Sequence, residues 1–260
     1  MSNIVQSLWI GRRLSKMEQL SVKSFQDHGH SYHLYTYGEV ENIPRDTEVK
    51  DANEILPESE IFTYKNGSLS AFSNYFRFVL LHKKGGFWAD TDMICVRPFK
   101  FEEDIVISSE PDYKYKKHKI TSSFIKLKKD SEATQEGINI QKKHKVEILS
   151  GRIEWSSGPR TVNDVVSKYN LAKYVLPWRV TCSCNWSHIN SIVEPNYRPR
   201  NGIMSIFFKS KPPYNNLNKL PKIMCCIHLW NEIWVRKNMD KNETFDYNSL
   251  YEQLKRRHNI

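Results

Sequence analysis

The sequence AFSNYFRFVLLHKKGGFWADTDM at residues 71–93 decides the fold of this chain. Its first half carries apolar residues at spacings of three and four: Phe72, Tyr75, Phe76, Val79 and Leu80. This spacing predicts an amphipathic helix that packs one face against a sheet. Ser70 is available as the N-cap of that helix, and Arg77 lies among its apolar residues.

The second half of the same stretch predicts a turn, a strand and a pair of acids. Gly85-Gly86 ends the helix, because glycine readily adopts the left-handed conformation needed just past a helix C-terminus. Phe87-Trp88-Ala89 is short, bulky and apolar, and it predicts a buried strand that leads into Asp90 and Asp92. Since alternate residues of a strand project to the same side, these two carboxylates can converge.

Two converging carboxylates favour a metal site. A divalent cation relieves their repulsion, and Mg²⁺ or Mn²⁺ suits oxygen ligands while leaving coordination positions for substrate phosphates. Such an ion can neutralise a diphosphate leaving group. The tripeptide alone is more typical of a turn in which Asp side chains cap backbone amides. The helix, the embedded Arg77 and the glycine pair in front of Asp90 and Asp92 favour the metal site.

Several motifs of the chain resemble those of a known family. Ser73-Asn74-x-x-Arg77, Leu80-Leu81, Gly85-Gly86 and Asp90-x-Asp92 resemble the sugar-binding DXD region of glycosyltransferase family 32. Three more pieces follow the same family in the same order: Ile4 to Gly11 as the first strand, Ser157-Gly158-Pro159 at the head of a helix, and Ile227 to Trp234 as the closing segment. These pieces span most of the chain.

The resemblance implies a retaining GT-A glycosyltransferase with an α/β fold: a single Rossmann-like nucleotide-binding domain with a mixed central sheet and an irregular C-terminal acceptor region. We therefore expect one domain over 1–260, with the donor-binding part at about 1–110 and the acceptor and closing part at about 111–260. The implied reaction moves a hexose or N-acetylhexosamine from a nucleotide sugar, by preference UDP-linked, to a hydroxyl of a glycan or glycolipid. Surface polysaccharide synthesis is the implied setting.

The resemblance also implies roles for the acidic centre. Asp92, His228 and Asp90 are the expected ligands of Mn²⁺ or Mg²⁺, and Asp90, Asp92 and Arg77 are the expected catalytic residues. Arg77 can contact a phosphate or Asp90, and a purely structural buried arginine would do the latter as well. On sequence alone, His228 in its apolar run is also typical of a core histidine.

The expected donor-binding residues form a larger set: Trp9, Asn74, Arg77, Asp90, Trp230 and Trp234. Trp9 ends the first predicted strand and can stack near uracil, whereas Trp230 and Trp234 can close over the diphosphate or the sugar. Each of these three tryptophans could instead belong to the core.

Two residues depart from the family pattern. Asn74 stands where the family commonly has Asp, so a contact to a sugar hydroxyl there would come from a neutral amide. Ile233 stands where the closing segment usually has Ser, so a hydroxyl that could touch the metal or phosphate is missing. Both changes bear on the choice of donor sugar.

Composition sets the location we expect. The 260 residues suffice for one substantial core, and no long apolar run or signal-like N-terminus is present. The odd count of five cysteines excludes a fully paired disulfide framework and favours a reducing compartment. We therefore expect a cytoplasmic enzyme that works at the inner face of a membrane. A structural zinc site at Cys182, Cys184, Cys225 and Cys226 is disfavoured, because neither pair has C-x-x-C spacing.

The net charge of +10 is compatible with three classes of anionic partner. Basic runs occur at 114–119, 126–129, 142–145 and 255–257, and most such runs are solvated surfaces. They can also attract a nucleotide diphosphate, an anionic membrane or a nucleic acid. No nucleic-acid-binding motif is present, so we expect peripheral contact with an anionic membrane and no nucleic acid.

The order of predicted elements is that of an α/β protein. Strands are expected at 4–10, 31–36, 94–97, 105–108 and 122–127, and helices at 15–28, 51–56, 68–84, 132–144 and 161–168. The first three elements form a βαβ unit. Residues 173–228 read as short irregular pieces, where acceptor specificity would reside.

Two other functions remain open on sequence alone. A Mg²⁺-dependent nucleotidyltransferase would also use Asp90 and Asp92, although the chain has neither a G-x-x-x-x-G-K nor a G-x-G-x-x-G phosphate loop. A non-catalytic carbohydrate-binding protein would explain the 12% aromatic content.

Overall fold

The structure of the protein is a computed structural model that describes residues 3–112, 117–182, 184–197 and 217–260. Its strands are β1 Ile4–Trp9, β2 Ser31–Thr36, β3 Glu48–Asp51, β4 Phe87–Ala89, β5 Met93–Cys95, β6 Val106–Asp112, β7 Lys117–Lys126 and β8 Cys226–His228. Its helices are α1 Lys16–Asp27, α2 Ser70–Lys84, α3 Glu132–Leu149, α4 Ser157–Lys168, α5 Trp178–Thr181, α6 Asn190–Val193, α7 Asn231–Arg236 and α8 Leu250–Arg257. Short 3₁₀ turns connect several of them.

A mixed sheet lies at the centre of the fold. Its strand order is β3-β2-β1-β4-β7-β6. Strand β1 runs parallel to β2 and β4, β2 runs parallel to β3, and β7 runs antiparallel to both β4 and β6. The predicted βαβ start and the α/β class with a mixed central sheet are therefore confirmed. Parallel β1 and β4 end on the same side of the sheet, which puts Trp9 and Asp90 at one edge.

A second, two-stranded sheet places the C-terminal part of the chain beside the acids. Strands β5 and β8 are antiparallel, with Met93 opposite His228 and Cys95 opposite Cys226. The backbone amide of Leu229 donates to the carbonyl of Asp92 at 2.9 Å, which extends this pairing by one residue. The pairing joins two segments that lie far apart in the sequence, and it brings His228 next to Asp92.

Helix α2 covers the central sheet with the predicted apolar face. Phe72, Phe76 and Leu80 are fully buried, and helix α3 packs on the other side of α2. The contact between α2 and α3 is close, since a β-carbon on Gly137 of α3 would lie 2.1 Å from the ring of Phe78. This packing fixes the helix that carries Asn74 and Arg77.

The ends of some elements differ from the prediction. Ser70 is the first residue of α2 and not its N-cap; Leu69 is the N-cap, and no side chain caps the helix there. The glycine pair does end α2, with φ angles of 67° at Gly85 and 81° at Gly86. The helix expected at 51–56 is only a 3₁₀ turn at Ala52–Glu54.

Strand β3 was not predicted, because it lies at the exposed edge of the sheet and three of its four residues face solvent. The irregular character of 173–228 is confirmed for its described residues, while 198–216 lie outside them. The basic run at 114–119 also lies largely outside the described residues. In the part of the chain that the structure describes, no helix has the length and apolarity needed to cross a membrane.

Candidate active site

Arg77 and Asp90 form a buried ion pair at the end of β4. The guanidinium Nη2 of Arg77 donates to Oδ1 of Asp90 at 2.6 Å, and the indole Nε1 of Trp88 donates to the same oxygen at 2.7 Å. The Arg77 side chain is 3% exposed, and its guanidinium lies 4.8 Å from the centre of the Trp88 ring. Asp90 keeps 29% of its side chain exposed. Arg77 therefore orients Asp90 from within the protein and leaves part of the carboxylate open to the surface.

Asp92 is held by the segment that follows β8. Its Oδ1 lies 3.2 Å from Nε2 of His228, and its Oδ2 accepts a hydrogen bond of 2.7 Å from the backbone amide of Asn231. The left-handed conformation of Trp230, with φ at 58°, occurs just before that amide. A bulky residue rarely adopts this conformation, and such strain tends to persist where the surrounding structure requires it.

Asp90, Asp92 and His228 are brought together as the resemblance implied. One ligand atom from each of the three lies within 4.8 Å of the others. Carboxylate oxygens and an imidazole nitrogen together suit Mn²⁺, and the oxygens suit Mg²⁺. The residues present therefore fit a divalent ion.

The electrostatics of the three groups are linked. Burial raises the pKa of Asp90, and the charge of Arg77 only partly opposes this. Burial would also raise the pKa of Asp92, but His228 and the amide of Asn231 outweigh it, so this pKa lies below its usual value. Burial would lower the pKa of His228, but the charge of Asp92 raises it well above its usual value. In the metal-free protein, Asp92 and His228 thus stabilise each other as an ion pair.

Asn74 joins α2 to the start of α4. Its Nδ2 donates to Oγ of Ser157 at 3.0 Å, and its Oδ1 accepts from Nη1 of Arg77 at 2.9 Å. Tyr64 completes the network, because its hydroxyl donates to Oγ of Ser157 and accepts from the amide of the same residue. The amide of Asn74 is thus engaged in holding Arg77, and its contact with a donor sugar stays a prediction.

The three predicted tryptophans occupy different environments. Trp9 ends β1, is partly buried and has the ammonium of Lys241 5.8 Å from its ring centre. The ring of Trp230 contacts that of His228 with centroids 4.1 Å apart and planes tilted by 33°, and its Nε1 donates to the carbonyl of Cys184 at 2.7 Å. Trp234 is fully buried and donates to the carbonyl of Leu229. The structure therefore places Trp230 at the site and Trp234 in the core beneath it.

All five cysteines are buried and free. Among the described residues, the three-ligand group that could hold a metal is Asp90, Asp92 and His228, and it includes no cysteine. Sequence reasoning did not assign a role to Asn231 or to Cys182, whose Sγ lies 3.8 Å from Nδ1 of His228. Their only sequence signal was their position, since Asn231 lies within the closing segment and Cys182 belongs to the Cys-x-Cys pair.

A family model matches part of this sequence. Residues 14–112 match the glycosyltransferase sugar-binding region containing DXD motif. This segment includes Asn74, Arg77, Asp90 and Asp92, and the match supports the enzyme class predicted from its motifs. No curated protein matches the sequence significantly.

Several solved glycosyltransferase structures are distantly similar to this chain. PaToxG glycosyltransferase is 13% identical with a TM-score of 0.46, and the likeness covers 65% of this chain and 69% of that one. Apo GlyE of Streptococcus pneumoniae TIGR4 is 11% identical with a TM-score of 0.48, over 92% of this chain and 61% of GlyE. The UDP-bound glycosyltransferase domain of the YGT toxin is 10% identical with a TM-score of 0.43, over 97% and 81%.

Proposed function

We propose that this protein is a metal-dependent, retaining glycosyltransferase that moves a hexose or N-acetylhexosamine from a nucleotide sugar to a hydroxyl of a glycan or glycolipid. The observation that supports this is the buried group of Asp90, Asp92 and His228, whose two acids belong to the matched DXD region. Retention and a UDP-linked donor rest on the resemblance to family 32. Cytoplasmic synthesis of a surface polysaccharide is the setting we propose.

The chemistry of the proposed reaction is a group transfer. The bond between the sugar C1 and the diphosphate breaks, a bond from C1 to the acceptor oxygen forms, and the acceptor proton passes to the departing diphosphate. Asp90, Asp92 and His228 would hold Mn²⁺ or Mg²⁺, which when bound supplies positive charge to the leaving diphosphate. Arg77 holds Asp90 in place. In this proposal Trp9, at the end of β1, and Trp230, beside His228, stack against the base or the sugar of the donor.

Isothermal calorimetry with UDP tests this proposal. We expect UDP to bind at least about tenfold more tightly with Mn²⁺ than with EDTA, a difference of about 1.4 kcal/mol, because an ion held by the carboxylates would supply positive charge to the diphosphate. Metal-independent sugar binding without nucleotide affinity would instead indicate a carbohydrate-binding protein. Binding of nucleoside triphosphates with Mg²⁺, without affinity for UDP, would indicate a nucleotidyltransferase. A panel of UDP- and GDP-sugars, assayed for slow hydrolysis, would then identify the donor.

A glycolipid acceptor would require access to a membrane, and the C-terminal end of α3 offers a suitable surface. Val146 and Leu149 lie one turn apart on α3 and are 61% and 64% exposed, and Trp155 shortly after them is 61% exposed. Lys142 and Lys143 are exposed on the preceding turn. Exposed apolar residues beside lysines complement an anionic lipid surface. We propose that this surface, residues 142–155, contacts an anionic membrane.

Vesicle sedimentation checks the membrane contact. We expect the protein to bind phosphatidylcholine vesicles only when they contain phosphatidylserine. The Lys142→Gln/Lys143→Gln variant should bind about thirtyfold more weakly, since each basic residue contributes about 1 kcal/mol and each 1.4 kcal/mol is about tenfold in affinity. Val235→Ser, at a residue that is 60% exposed on α7, is the control and should bind as wild type does. Equal binding to neutral vesicles, or none to anionic ones, would contradict this part of the proposal.

A further inference from the structure

His228 has a different neighbour at each ring nitrogen. Its Nε2 faces Oδ1 of Asp92 at 3.2 Å, on the side where the three ligand atoms converge. Its Nδ1 faces Sγ of Cys182 at 3.8 Å, within hydrogen-bond range for sulfur. The His228 side chain is 9% exposed and Cys182 is fully buried, so bulk water does not replace this contact.

The backbone determines where Cys182 lies. Cys182 follows α5 directly, and its amide donates to the carbonyl of Trp178 at 2.9 Å. Two residues earlier, the carbonyl of Val180 accepts from the amide of Cys225 at 2.8 Å, which fastens α5 beside β8. Cys182 therefore contacts His228 at Nδ1, on the side of the ring away from Asp92. Main-chain hydrogen bonds fix the position of the neighbour on each side of the ring.

This arrangement selects one tautomer of the imidazole. If Nε2 is to donate its lone pair to a metal, the proton of the neutral ring must lie on Nδ1, and a buried N–H needs an acceptor. Histidines that bind metals nearly always donate this second N–H to a fixed partner, and loss of that partner typically costs 10–100-fold in metal affinity. The sulfur of Cys182 occupies the position of that partner.

We propose that Cys182 is a positioning residue that holds His228 in the tautomer and orientation needed to bind the divalent ion through Nε2. This inference rests on the proposed function, because it concerns the same metal site. Cys182 acts through His228 and does not itself bind the metal.

Titration with Mn²⁺, followed by the electron paramagnetic resonance signal of the free ion, tests the inference without any assay of activity. We expect Cys182→Ala to weaken Mn²⁺ binding about tenfold or more. Cys182→Ser keeps a hydrogen-bonding atom at this position and should bind within about threefold of wild type. Cys184→Ala is the matched control, because Cys184 is equally buried in the same segment but its Sγ bonds the carbonyl of Asn185.

The outcomes separate the two proposals. Wild-type affinity in Cys182→Ala, with wild-type protein that does bind Mn²⁺, would overturn the role of Cys182 alone. Equal losses in Cys182→Ala, Cys182→Ser and Cys184→Ala would also overturn it, since they would show a general effect of packing. Absence of Mn²⁺ binding in the wild-type protein would overturn both this inference and the proposed metal dependence. Thermal unfolding without metal checks that each variant is folded.

Discussion

Replacing Arg77 with Met is expected to lower the free energy of unfolding by about 3–5 kcal/mol, because removal of one partner leaves a buried charge uncompensated. Arg77 is 2% exposed and donates to both Asn74 and Asp90. Methionine fills much of the same space, so the loss should come mainly from electrostatics and hydrogen bonding. Urea unfolding followed by tryptophan fluorescence measures the change.

Two further variants make the test specific. Arg77→Met combined with Asp90→Asn should recover a large part of the lost free energy of unfolding, since Asp90→Asn removes the carboxylate charge that Arg77→Met leaves unpaired. Arg160→Met on α4, at an exposed arginine, should change stability by less than about 0.5 kcal/mol. A loss below about 1 kcal/mol in Arg77→Met would show that water or a rearranged side chain compensates Asp90.

The parts of the fold that were predicted correctly are those that depend on residues close together in the sequence. The apolar spacing of α2, the glycine pair and the short strand β4 lie within one continuous stretch, and each depends on neighbours in the chain. The pair of Asp90 and Asp92 follows from the same stretch. Edge strand β3 escaped prediction because its sequence EVKD has no buried side, and the N-cap of α2 was misassigned because Ser70 is already helical.

The rest of the site depends on contacts between distant segments. His228 was assigned through a family resemblance, since an apolar run around a histidine is also typical of a core. The pairing of β5 with β8 places His228 by Asp92, and no local pattern indicates that register. Cys182 and Asn231 become recognisable only once α5 and α7 are packed around β8. Trp234 shows the converse: its motif position suggested the donor pocket, whereas packing against Phe245 and Tyr251 places it in the core.

Asp92→Asn should reduce metal-dependent donor hydrolysis by a factor on the order of 10³. A metal ion contributes several kcal/mol of charge stabilisation to such a leaving group, and each 1.4 kcal/mol corresponds to about tenfold in rate. Asparagine keeps the shape of Asp92 and can still accept from the amide of Asn231, so the fold should persist. The measurement is release of UDP from the preferred UDP-sugar at a Mn²⁺ concentration that saturates the wild-type protein.

Asp104→Asn serves as the matched control, because Asp104 is an exposed aspartate outside the site and its loss should leave the rate within about twofold of wild type. Raising Mn²⁺ separates binding from chemistry in Asp92→Asn. Full recovery of kcat at high Mn²⁺ would mean that Asp92 only tightens the ion, whereas a kcat that stays low would mean that its charge also stabilises the transition state. A rate unchanged at every Mn²⁺ concentration would contradict the assignment of Asp92 as a ligand of the ion.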